Sequence, residues 1–123
     1  MLFLCLCRYN ADDFAGLDSA QFDRIGEMCA PIDQAFKASG HVRITGSLGL
    51  PEEARWLKAT ASGVTEGEGL YEPTTEPPGA FFMIEASSME QAVEIARMHP
   101  GAHLGGMFEG AIEIWPIAQW EQP

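Results

Sequence analysis

Apolar residues in this chain fall in blocks whose period changes from two to about three and a half and back again. Residues 79–102 (GAFFMIEASSMEQAVEIARMHPGA) open on an apolar run and pass through Ser87 and Ser88 into a stripe of Met89, Ala92, Val93 and Ala96, which stops at Pro100. Residues 110–117 (GAIEIWPI) are apolar again. The pattern predicts a buried strand, a serine-capped amphipathic helix and a second buried strand, a βαβ layout in about 40 residues.

The first half reads in the same way. Residues 2–9 (LFLCLCRY) are apolar at odd and even positions alike, as in a central strand covered on both faces. Residues 10–17 read as a polar loop. Asp18 and Gln21 then have capping-box spacing ahead of a stripe of Phe22, Ile25, Met28, Ile32 and Phe36, which predicts a first long helix. Pro31 predicts a kink or a break one turn earlier, Gly26 weakens the helix further, and Gly40 is a left-handed stop. Residues 41–50 set Val42 and Ile44 against Arg43 and Thr45, and residues 55–62 follow the Pro51-Glu52-Glu53 turn, so a hairpin between these two segments is expected. Residues 64–78 (VTEGEGLYEPTTEPP) have the glycine, proline and acid of a surface loop or lid. The order of elements fits an α+β class, a ferredoxin-like βαββαβ sheet with both helices on one face, with the whole chain as one domain. Two helices cover only one face of such a sheet, so a second copy of the chain is expected on the other.

Composition narrows the partners. Eighteen acidic against 7 basic residues give a formal net charge of −11, which repels phosphate backbones and anionic membranes. The apolar start, Met1 to Cys7, is too short for a membrane span and lacks the basic start and cleavage site of a signal peptide. Cys5, Cys7 and Cys29 are odd in number and show no zinc spacing, which suits free thiols in a reducing, cytoplasmic setting. Cys5 and Cys7 share one face of a strand and read as small core residues, with no metal expected. No G-x-G-x-x-G, P-loop or G-x-S-x-G occurs, so no dinucleotide, triphosphate or serine-hydrolase chemistry is implied and no cofactor is expected.

The run FFMIEA, a helix ending in ARMHPGA, and then GAIEIWPI resemble the closing half of the YCII-related family, also called DGPF-domain proteins. Upstream, Gly46-Ser47-Leu48-Gly49-Leu50-Pro51 resembles that family's glycine-rich strand end, and Val64-Thr65-Glu66-Gly67 stands where its V-T-D-G-P-F signature falls. Glu66 replaces the signature aspartate, Glu68 replaces the proline, no phenylalanine follows, and Trp115 sits where arginine is common. The resemblance implies a ferredoxin-like domain pairing through its sheet into a dimeric α+β barrel. It also implies a kinship with proteins described mostly as enzymes with a His/Asp pair in a cleft.

Candidate chemistry gathers at few residues. His99 follows the second helix, where the dipole favours an imidazolium that bonds the last carbonyls. In the functional reading it faces a cleft and works as a general acid or base with Glu66. His41 and His103, the latter in an HLGG loop, read as rim residues, and no short ligand spacing supports a three-histidine metal site. Arg8 and Arg43 are candidates to hold a small anionic substrate, and Tyr9, Trp56 and Trp115 to line a pocket for a flat ring, against salt bridging and ordinary packing respectively. Two functions stay open: a small dimeric enzyme or binder of a small organic molecule, and a non-catalytic oligomerisation or binding module.

Overall fold

A computed structural model describes residues 1–104 and 107–123. Strand β1 (Leu2–Tyr9) is followed by a five-residue helix α1 (Ala11–Ala15), the long helix α2 (Ser19–Ala38) and strand β2 (Val42–Ser47). A hairpin of β3 (Arg55–Thr60) and β4 (Gly63–Glu68) comes next, then β5 (Pro78–Glu85), α3 (Met89–Ala96) and β6 (Gly110–Pro116). The main sheet has the order β2-β5-β1-β6 with every neighbouring pair antiparallel. This is the interleaved double βαβ arrangement of a ferredoxin-like sheet, with β3 and β4 inserted as a separate two-stranded sheet.

Local chemistry accounts for the elements. Asp18 accepts the Gln21 amide at 2.8 Å while the Gln21 side chain accepts the Asp18 amide at 2.9 Å, a closed capping box at the start of α2. The helix continues through Pro31, so of the kink or break expected there the break does not occur. Gly40, at φ +84°, turns the chain into β2. Ser88 caps α3 by accepting the Gln91 amide at 3.1 Å, and Gln91 accepts the Ser87 amide at 2.6 Å; such a cap is worth about 1 kcal/mol.

Cross-strand partners share a face. Phe3, Cys5 and Cys7 of β1 therefore lie with Ile84, Phe82 and Ala80 of β5 and with Ile114 and Ile112 of β6. Phe36 of α2 and Ala92, Ile95 and Ala96 of α3 close on this face to form the core. The Phe36 and Phe82 rings meet edge to face at 5.0 Å, an arrangement worth about 1 kcal/mol beyond area burial. Leu4, Leu6, Phe81 and Met83 point to the opposite face and are only partly buried there, while Ile44 and Trp115 are 50% and 54% exposed.

Three expectations are corrected. The hairpin pairs β3 with β4, not residues 41–50 with 55–62, and β2 instead pairs with β5. The expected lid thus begins as a strand, and its end is tied down. Tyr9 and Ala11 donate backbone bonds to Pro77 and Thr75, and Pro77 is fully buried. The expected polar loop at residues 10–17 contains α1, capped by the Asn10 side chain on the Asp12 amide at 2.9 Å. No helix is long and apolar enough to cross a membrane among the described residues.

Candidate functional site

The site begins where α3 ends. Pro100 cannot extend the helix, so the chain turns into a short 3-10 segment, Pro100–His103, with His99 as its N-cap. The His99 ring accepts the Gly101 amide on Nδ1 at 2.9 Å, which leaves the neutral imidazole's proton on Nε2. It stacks on Phe82 at 4.7 Å and 15°, and meets the Phe36 edge at 5.2 Å. Cys7 of β1 reaches the same nitrogen, its sulfur 3.8 Å from Nδ1.

Beside this pair opens a cavity of about 760 Å³ between sheet and helices. Cys7, Ala80 and Ile112 form its floor, and Val93, Ala96 and His99 one side. Tyr9, Phe14, Phe22 and Phe108 form an aromatic wall. Phe14 and Phe108 stack at 4.2 Å, and Tyr9 meets Phe14 edge on at 4.9 Å. Two bonds hold that wall, from the Asn10 amide to the Glu109 carbonyl and from the Glu109 amide to Asp13, each 2.8 Å.

Electrostatically the interior is quiet. Burial lowers the His99 pKa; Asp33 opposes the shift and Lys37, ion-paired with Asp33 at 2.7 Å, adds to it. Burial pushes the Cys7 thiol up to about 11. Both groups are uncharged at neutral pH. The expected imidazolium is therefore corrected: a dipole effect of about 0.3–1 kcal/mol is outweighed by desolvation between two aromatic rings. The ring also bonds the amide after it, not the last helix carbonyls.

Arg8 and Tyr9 line the cavity as expected, yet the Arg8 guanidinium is taken by the Glu113 carboxylate and by the Glu76 carbonyl at 3.0 Å. Glu66 does not join His99. It lies on the separate hairpin, 57% exposed, and pairs with Arg55 at 3.3 Å. Arg43 is exposed on β2 and donates to the Gly40 carbonyl at 2.9 Å, and Trp115 stands on the opposite sheet face; neither lines the cavity. His41 bonds the Glu85 carbonyl at 3.0 Å and His103 the Arg97 carbonyl at 2.7 Å. Gly105 and Gly106 of the HLGG loop lie outside the described residues. Among the described residues no three metal-ligating side chains converge.

Sequence reasoning missed Cys7, Phe14 and Phe108 as site residues. Asn10 ahead of Asp12 and Asp13 is a helix-start signal that places Phe14. Nothing local marks Cys7 or Phe108, because their roles come from partners far along the chain.

No family model matches the chain, and no curated protein matches it. Among solved structures it is similar to 5-chloro-2-hydroxyhydroquinone dehydrochlorinase (TftG) from Burkholderia phenoliruptrix AC1100, in complex with 2,5-dihydroxybenzoquinone. The identity is 17% and the TM-score 0.48, with 100% of this chain and 96% of that chain covered. At that distance, the fold assignment rests on the strand order and register described above.

Proposed function

We propose that this chain is a small homodimeric binding protein of the YCII-related type, working in a reducing, cytoplasmic setting, that takes a small, flat, uncharged organic molecule into the His99 cavity. The cavity itself carries the reading: about 760 Å³, walled by stacked aromatic and aliphatic side chains, with a neutral imidazole and a neutral thiol as its inner polar groups. Such a volume suits a ligand of one or two rings. The committed Arg8 and the net charge of −11 both disfavour an anion. Pairing of Glu66 with Arg55 favours binding over catalysis by a His99–Glu66 dyad. The half-exposed apolar sheet face, with Leu4, Leu6, Phe81, Met83 and Trp115, supports dimerisation as in an α+β barrel. A thermal-shift screen tests the reading, since a ligand at 100 times its Kd stabilises the native state by about 2.7 kcal/mol. Neutral phenols and cyclic ketones are expected to raise Tm and small carboxylates to leave it unchanged; the reverse order contradicts the proposal.

A further inference from the structure

Tyr9 closes β1 with its ring on the aromatic wall of the cavity and its hydroxyl uncommitted. Among the described residues no group hydrogen-bonds that oxygen, and no buried polar side-chain atom lacks a partner, so the oxygen is not sealed inside protein. We infer that Tyr9 anchors the ligand: its hydroxyl donates to the carbonyl oxygen of a ring ketone and so tells a ketone from a hydrocarbon of the same shape. This rests on the cavity being the binding site, and names the group by which it recognises what it takes.

The ring is seated by its neighbours. Phe14 meets it edge on at 4.9 Å. Gly79 of β5 leaves the space that it fills, since a Cβ there would run into Tyr9 Cδ1 and Cε1. The Tyr9 amide donates to the Pro77 carbonyl at 3.3 Å, which fixes the backbone from which the ring projects. A donor held in this way has little rotamer freedom left to lose on binding.

The other polar side chains of the lining point to the same ligand class. Arg8 is taken by Glu113 and the Glu76 carbonyl, Arg97 pairs with Glu94, and Glu109 is exposed. The acceptor nitrogen of His99 takes the Gly101 amide, which leaves that ring only an N–H, and the Cys7 thiol stays protonated, a weak donor. What remains can donate to a carbonyl. A ligand that brings only donors finds the tyrosine oxygen as the one strong uncommitted acceptor among these inner side chains.

The test is an amide chemical-shift titration of the whole protein with cyclohexanone and with methylenecyclohexane, which carries a CH2 where the ketone has its oxygen. Tyr9→Phe keeps the ring and its contact with Phe14 and removes the hydroxyl alone. It is expected to weaken cyclohexanone binding roughly three- to tenfold and to leave methylenecyclohexane no weaker. Gly79→Ala, which displaces the ring, is expected to weaken the ketone selectively in the parent and to add no such loss to Tyr9→Phe; the same added loss in both backgrounds contradicts this seat. Equal affinity of parent and Tyr9→Phe for cyclohexanone, or equal weakening of both probes, overturns the inference. If methylenecyclohexane shifts the Cys7, Ala80 and Val93 amides while Tyr9→Phe leaves the ketone's affinity untouched, the anchor fails and the binding reading stands. If neither probe shifts those amides, both fail.

Discussion

The imidazole of His99 lies nearly flat on the ring of Phe82, centroids 4.7 Å apart and planes 15° apart. This contact packs a half-buried histidine against the core phenylalanine from the cavity side, and burial there lowers its pKa. Below its unfolded-state value of about 6.5 the unfolded chain binds a proton that the folded chain resists, so acidification favours unfolding. Denaturant titrations are expected to show stability falling as pH drops from 7 through about 6. His99→Gln is expected to flatten that fall, and an unchanged pH slope in the variant contradicts the assignment.

His99 and Glu66 are expected to separate on mutation. His99→Ala removes a ring packed against Phe82 and Phe36 and is expected to cost about 2–4 kcal/mol together with loss of ligand binding. Glu66→Ala removes an exposed pair with Arg55 and is expected to change stability by less than about 1 kcal/mol and binding not at all. Loss of binding in Glu66→Ala, measured by the same thermal shift, restores the dyad.

Much of the architecture is legible along the chain. Ser87 or Ser88, the stripe closed by Ala92 and Ala96, and the stop at Pro100 announce α3, which Ser88 caps and which ends at Ala96, as Asp18 and Gln21 announce α2. The hairpin is harder because Leu57 and Val64 are 73% and 68% exposed, so burial writes no period into β3 or β4. The Ala61-Ser62 turn between them carries no strong turn residue ahead of Gly63. The site is less legible still. His99 was expected from its place after the helix, but its chemistry is set by Cys7, Phe36 and Phe82, residues 92, 63 and 17 positions away, an arrangement only the folded sheet creates.

The open sheet face predicts a dimer. Leu6 sits at its centre on β1, between Phe81 and Glu113 of the neighbouring strands. Light scattering at micromolar concentration is expected to show two copies for the parent and one for Leu6→Glu, with circular dichroism unchanged. A monomeric parent removes the dimer.

Gly110 starts β6 against the end of β1, where a Cβ would stand 2.1 Å from the Arg8 carbonyl oxygen. Backbone cannot yield as a flexible side chain would. Gly110→Ala is expected to destabilise by about 1–3 kcal/mol, read as an earlier urea midpoint at constant m-value. A midpoint equal to the parent's contradicts this close approach.

The central claim, that the cavity is where a small neutral ligand binds, is tested most directly by mapping amide chemical shifts in nitrogen-15 spectra as a thermal-shift hit is titrated in. The account predicts shifts concentrated at Cys7, Ala80, Val93, Gly101 and Ile112, and their loss in Ala80→Phe, whose larger ring fills the floor. Shifts confined to residues 55–68, or to Leu4, Leu6 and Trp115 on the opposite face, contradict it.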